Sequence, residues 1–251
     1  MSCVNIRGCC IGEGRPKVII PIVEPTETAV LKKAAEFSTL RADCVEWRID
    51  CFEGAKDLPA IVHCAAKLRV ALKDKLLLFT FRTKAEGGKV ALSHEEYLHF
   101  IRTVLATDCA DLIDIEFFTV GAELPALIEE AHTAGAAVVC SSHDFHKTPP
   151  RAELVSRMVA MQQAGADLPK LAVMPQSRAD VLELLAATAE MADRHPETPI
   201  ITMSMGALGA VSRLAGEAFG SAMTFSNPGQ ASAPGQVSLE VVNKVLDALH
   251  L

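Results

Sequence analysis

The chain has 251 residues, half of them hydrophobic and 22% charged, with a formal net charge of −7, a pI near 5.6 and a mean hydropathy of +0.25. This composition supplies a large core for one α/β domain or two small ones, and the acidic balance without a basic stripe excludes a general nucleic-acid binder. No apolar run approaches the ~18 residues of a membrane span, and residues 1–17 lack the apolar stretch of a secretion signal, so a cytoplasmic protein with no membrane contact is expected.

Taken in order, residues 2–16 place Gly8, Gly12 and Gly14 between short apolar stretches, which predicts a small hairpin preceding the main fold. A regular alternation then begins. Strand-like runs at 18–23, 43–49, 75–82, 111–117, 136–142, 168–174, 200–205 and 221–225 are each followed by a segment of helical spacing. Those segments fall at 27–37, 58–72, 93–107, 122–134, 148–164, 177–194, 210–218 and 238–251. Ser93-x-x-Glu96 and Ser177-x-x-Asp180 mark two helix starts, and Thr148-Pro149 is expected to open a third. Eight β-then-α units predict an α/β fold of the (β/α)8 TIM-barrel class, one domain over 1–251 with residues 1–16 covering the barrel's bottom. No GxGxxG follows the first strand, which counts against a dinucleotide fold.

The eight cysteines are scattered and show no Cys-x-x-Cys spacing, so free thiols and no zinc site are expected. The strands carry charges on one parity only. Glu46, Arg48 and Asp50 alternate with Val45, Trp47 and Ile49, and Asp114 and Glu116 alternate with Ile113 and Ile115. Strands covered on both faces are otherwise apolar throughout, so this code predicts a barrel interior with a functional mouth at the strands' C-terminal ends. Glu46, Arg48, Arg82, Glu86, His143 and Arg213 all fall at or just past such ends.

Lys170 stands in the apolar run 168–174, on the parity of Ala172 and Met174. It is either a strand-end lysine reaching back to water or one held out of water as a nucleophile able to form a Schiff base with a ketone. His143 closes the preceding strand and offers proton transfer at neutral pH. Arg82 and Arg213 point to an anionic substrate, because guanidinium forks grip carboxylates. Glu46 and Arg48 offer acceptors and donors for hydroxyl groups.

Six pieces in order, Glu46-Trp47-Arg48-Ile49-Asp50, Thr80-Phe81-Arg82-Thr83-Lys84-x-x-Gly87-Gly88, Ser142-His143-Asp144-Phe145 with Thr148-Pro149, Ala166-Asp167-x-x-Lys170-x-Ala172, Met205-Gly206-x-x-Gly209-x-x-Ser212-Arg213 and Ser232-Ala233-Pro234-Gly235-Gln236, resemble type I 3-dehydroquinate dehydratases. The resemblance implies dehydration of 3-dehydroquinate to 3-dehydroshikimate by syn elimination, a step of aromatic amino acid biosynthesis. Lys170 would form an imine at the C3 ketone, His143 would serve as general base and acid, and Glu86 would orient His143. Glu46, Arg48 and Arg82 would bind ring hydroxyls, Arg213 the carboxylate, and Ser232 and Gln236 would sit on a closing loop. The resemblance implies a small-molecule substrate, no metal or organic cofactor, and a homodimer.

Two residues depart from the pattern. Pro21 stands where many relatives have serine, and Pro169 removes a backbone donor inside a central strand, which predicts a bulge or a strand start there. Other readings are a class I aldolase, which also uses a sixth-strand lysine, and a non-catalytic binder of shikimate-like metabolites.

Overall fold

The computed structural model describes residues 2–229 and 234–251. Its first element is a hairpin of β1 (Val4–Ile6) and β2 (Cys9–Ile11), with Ile6 opposite Cys9. The two connecting residues, Arg7 and Gly8, have φ of 50° and 77°, as a two-residue turn needs to match the strands' twist. Eight parallel strands follow: β3 (Lys17–Ile22), β4 (Cys44–Arg48), β5 (Leu76–Thr80), β6 (Leu112–Glu116), β7 (Ala137–Asp144), β8 (Leu168–Val173), β9 (Ile201–Ser204) and β10 (Met223–Phe225). They pair in the order β10-β3-β4-β5-β6-β7-β8-β9. The ring closes where Ile200 bridges Ser221 and the Ala222 N–H donates to the Ile200 carbonyl at 2.8 Å. This is the (β/α)8 barrel that the alternation predicts.

The outer layer comprises α1 (Glu27–Phe37), α2 (Leu58–Leu72), α3 (His94–Leu105), α4 (Phe117–Val120), α5 (Leu124–Thr133), α6 (Arg151–Gln163), α7 (Arg178–Arg194), α8 (Ala210–Leu214), α9 (Gly216–Phe219) and α10 (Leu239–Ala248). The helices begin where side chains satisfy otherwise orphaned N–H groups. Thr26 and Asp57 accept from Ala29 and Ala60, and Ser93–Glu96 and Ser177–Asp180 form reciprocal capping boxes. Three expectations shift. The helix foreseen from Thr148-Pro149 starts at Arg151, because Pro150 has extended ψ and occupies the cap position. The helix foreseen over 122–134 starts at Leu124, after a 3-10 turn over Gly121–Glu123, and the one over 210–218 divides at Ala215.

Strand parity divides the apolar residues into two sets. Val45, Trp47, Ile113, Ile115, Leu171 and Val173 pack outward under the helices. Ile19, Cys44, Leu76, Leu112, Leu168 and Ala172 face the barrel axis. Ile11 of the hairpin is fully buried among the inward residues that begin the strands, so the hairpin seals the N-terminal end as expected. Arg7 adds an ion pair to Asp111, whose other oxygen receives Arg69 at 2.6 Å and the Leu77 N–H at 2.8 Å.

The expectation of eight free thiols needs one correction. Cys3 and Cys10, with Cα atoms 5.7 Å apart, are joined in a disulfide, while the other six cysteines are free. The register sets them diagonally on one face of the hairpin, a proximity that their spacing in the chain does not announce. Pro169 needs neither a bulge nor a strand start. It pairs in register with Cys140 as the second residue of β8, ahead of the β9 ladder that begins at Lys170 and Ile201. Pro21 lies beyond the last residue of β3 that β10 pairs, so its missing N–H costs no bond on that side.

Candidate active site

At the C-terminal end of the barrel, a cavity of about 200 Å³ is lined by Glu46, Arg48, Arg82, Glu86, His143, Lys170, Arg213 and Gln236. Eight of the nine expected site residues therefore meet in one place; the ninth, Ser232, lies outside the described residues. Phe145, Met203, Phe225 and Pro234 supply apolar wall.

Lys170 points inward, as its parity requires, and is 3% exposed. It does not reach back to water. Its Nζ lies 3.0 Å from Asp114 Oδ2 and 4.6 Å from the centre of the Phe225 ring. The same carboxylate oxygen accepts Arg82 Nη2 at 2.8 Å, and Asp114 Oδ1 accepts Ser141 Oγ at 2.6 Å. Burial alone drives the Asp114 carboxyl upward, but Arg82, Lys170 and Ser141 outweigh it and hold the group below the usual carboxylate range.

Arg82 is enclosed by acids. Its Nη1 donates to Glu116 Oε1 at 2.9 Å and Ser141 Oγ at 3.0 Å, and Glu86 Oε2 stands 3.5 Å away. Glu116 also accepts the Thr83 N–H, the Thr83 hydroxyl and the Thr119 hydroxyl at 2.6–2.8 Å, which fixes the chain leaving β5. Arg48 is gripped bidentately by Asp50 at 2.8 and 2.9 Å, and Glu46 Oε1 accepts the Thr80 hydroxyl at 2.9 Å.

Glu86 closes a single 3-10 turn after β5, and its Oε2 accepts the His143 backbone N–H at 3.1 Å. The same oxygen lies 2.8 Å from His143 Nδ1. An oxygen already accepting from a backbone N–H is best served by a second donor, so the network assigns the ring proton to Nδ1 and leaves Nε2 with its lone pair. Burial, together with the cations Arg82, Lys170 and Arg48, holds His143 well below the usual imidazole range, so the ring is neutral at neutral pH. Burial pushes the Glu86 carboxyl up to about 8, against the pull of Arg82 and with the added repulsion of Glu116 and Asp114. Phe145 stacks on the imidazole with its ring 17° from parallel. Gly87, at φ +85°, makes room for that ring, since a Cβ there would come within 2.4 Å of it.

Arg213, from α8, is the contrast. It is 1% exposed and has no carboxylate partner among the described residues. Its Nη2 donates to the Pro234 carbonyl at 3.2 Å, its Nη1 meets only the Met203 sulfur at 3.5 Å, and its Nε has no acceptor. Burial pulls the guanidinium down to about 10. A buried cation so placed lacks the paired anion that offsets the cost of taking charge out of water.

Asp114, Glu116 and Asp50 are functional neighbours to which the sequence reading gave no role. The signal was present for all three, because Asp50 shares the parity of Glu46 and Arg48, and Asp114 and Glu116 alternate with apolar neighbours in the same way. A metal has less to hold it here, since the mouth's carboxylates are engaged by arginines, a lysine and a histidine. Cys3, Cys10 and Glu13, which cluster with donor spacing, lie in the hairpin, and their two sulfurs are bonded to each other.

Comparison with known proteins agrees with this geometry. Residues 18–251 match the family model for type I 3-dehydroquinase. The chain is 47% identical over 250 residues to 3-dehydroquinate dehydratase of Bacillus subtilis, covering 100% of this chain and 98% of that one. It is 46% identical over 250 residues to the Salmonella agona protein of the same name, covering 100% and 99%. The crystal structure of type I 3-dehydroquinate dehydratase from Clostridium difficile, which carries a covalent modification by comenic acid, superposes with a TM-score of 0.96 at 43% identity, over 99% of this chain and 98% of that one. A lysine paired with a carboxylate, a neutral histidine held by a glutamate and an arginine awaiting an anion thus stand in a chain that belongs to the type I 3-dehydroquinase family.

Proposed function

We propose that this protein, working as one domain, dehydrates 3-dehydroquinate to 3-dehydroshikimate through a Schiff base on Lys170. The observation that carries the reading is the single cavity in which buried Lys170 and neutral His143 face the unpaired Arg213. The substrate's carboxylate binds Arg213, and its ring hydroxyls meet Glu46, Arg48 and Arg82. That orientation carries the C3 ketone to Lys170. His143 Nε2 first takes a proton from the Lys170 ammonium, and the freed Nζ lone pair attacks the carbonyl carbon. One of the two remaining nitrogen protons passes to the carbonyl oxygen, which then takes the His143 proton and leaves as water, giving an iminium. His143 Nε2 then removes a proton from C2, and the C2–H electrons form the enamine. As the enamine returns to iminium, the C1–O bond breaks and the hydroxyl takes the His143 proton, leaving as water from the same face. Water added back across the imine releases product and the free amine. Glu86 holds Nδ1–H so that Nε2 faces this chemistry, and Gln236 lines the cavity from the segment ahead of α10.

Six free thiols support a reducing, cytoplasmic setting, and the family resemblance supports a homodimer, which sedimentation of the purified protein tests. The function itself is tested by adding 3-dehydroquinate with and without sodium borohydride. Product formation together with a reduced adduct on the peptide containing Lys170 is the expected result. Product without any adduct overturns the imine step, and neither product nor adduct overturns the whole reading.

A further inference from the structure

We infer that Asp114 is the fixed counterion of the nitrogen of Lys170 throughout turnover, pairing first with its ammonium and then with its iminium, and that it takes no proton itself. The inference rests on the Schiff-base reading above and adds a residue and a role to it.

The iminium of a primary amine keeps one N–H and releases it more readily than an ammonium does, yet only the protonated form draws electrons from C2, and Lys170 is only 3% exposed. A cation created in such a place is costly unless an anion is already there. The other acids of the mouth are committed elsewhere. Asp50 holds Arg48, Glu86 holds His143, Glu46 takes the Thr80 hydroxyl, and Glu116 takes Arg82 with two threonine hydroxyls. Among the described residues, Asp114 is the carboxylate paired with Lys170, at 3.0 Å.

Asp114 is also fully buried on the interior strand face, two strands away in the ring from Lys170, with Ser141 standing between them on β7. Three donors, Lys170 Nζ, Arg82 Nη2 and Ser141 Oγ, converge on its two oxygens. A carboxylate so saturated is a poor base, and the neutral imidazole of His143 is left to carry every proton. Forming the iminium expels the carbonyl oxygen as water with two protons that began on the Lys170 ammonium, one of them relayed by His143; Asp114 gains and loses nothing. The neutral carbinolamine and enamine have no such charge on nitrogen. Preorganised charge therefore lowers the barriers of the two steps that create the iminium, from the carbinolamine and from the enamine, because their transition states carry the developing cation.

Asp114→Asn tests this, since it keeps the shape and removes the charge. Expected are a fall in kcat of about 10²–10³-fold, a KM within about threefold of the parent, and at least a tenfold loss of adduct trapped by borohydride at saturating substrate. Asp114→Glu, which restores the charge, is expected to recover about tenfold of the lost kcat. The role is overturned if the amide variant traps and turns over like the parent, or if its defect lies in KM alone. Should the amide variant not fold, carboxyl-13C aspartate spectra of the unaltered protein decide. The signal that moves when the imine is reduced stays at the carboxylate position from about pH 5 to 9, and a titration in that range overturns the role. A parent that never traps overturns the Schiff-base reading and this role together, whereas a trapping parent beside an unaffected amide variant overturns this role alone.

Discussion

The two walls of the barrel mouth treat charge in opposite ways. The wall built from β4 to β7 crowds Glu46, Asp50, Glu86, Asp114 and Glu116 around Arg48 and Arg82, so each cation there has at least one carboxylate in contact. The wall built from β9, α8 and β10 offers Arg213 to the same cavity beside Met203 and Phe225, and no carboxylate accompanies it. Both arginines are buried, yet one is saturated and the other is waiting. A saturated guanidinium can lend a hydroxyl only a secondary contact, whereas the unpaired one loses most of its burial penalty when an anion arrives. On the proposed function, this difference in charge placement is what orients a hydroxylated carboxylic acid across the cavity.

The strongest way to break this picture is at the residue between the walls. Lys170→Met is expected to lower turnover by at least about 10⁴-fold and to abolish the borohydride adduct, while ligand binding measured by calorimetry persists through Arg213. Next comes the pair of arginines. Arg213→Met is expected to lower kcat/KM by about 10²–10³-fold, mostly through KM, and yet to raise the melting temperature, because a buried charge without a partner is removed. Arg82→Met does the reverse to stability. It strands Asp114 and Glu116 and is expected to cost about 3–5 kcal/mol in denaturant unfolding. Equal effects of the two substitutions on stability would erase the contrast.

A finer test uses pH. Glu86 has a native pKa near 8 against an ordinary 4.5, so between those values the unfolded chain has released a proton that the native state keeps. Stability from this group is full below 4.5 and is lost as pH rises towards 8. Glu86→Gln removes the slope, so its melting temperature relative to the parent is expected to climb across that window. His143 acts in the other direction. Its native pKa lies well below 6.5, so its contribution is present above 6.5 and fades as pH falls. The smallest effect is expected at Thr80→Val, which deprives Glu46 of one donor and raises KM about three- to tenfold, as loss of one hydrogen bond near 1 kcal/mol allows.

Much of this wall-to-wall arrangement is written in strand parity. Alternation placed Glu46, Arg48 and Lys170 inside and Trp47, Leu171 and Val173 outside, and the rhythm of eight units gave the barrel. Parity says which way a side chain points but not what it meets. It could not tell that Arg82 would be surrounded by three acids while Arg213 had none among the described residues, because those acids come from β6 and the turn after β5, up to 34 residues away. Nor could it show that Lys170 is paired with Asp114, a contact across 56 residues. Short-range breaks were equally hidden. Pro150 delays α6 and Gly121 interrupts the segment ahead of α5 through backbone angles that apolar spacing does not encode. The Cys3–Cys10 bond depends on hairpin register rather than on any motif.

The two-residue repeat of β8 also bears on which genetic changes the chain survives. Exchanging Leu171 for another aliphatic residue alters packing by small steps and leaves Lys170 facing the cavity. Deleting one residue between Gly165 and Lys170 is a different kind of event, for it would turn the amine towards the helices and Leu171 towards the substrate. Folding and chemistry would fail in the same stroke. The strand thus tolerates a change of composition far better than a change of length, whereas a residue added in a loop disturbs no alternation.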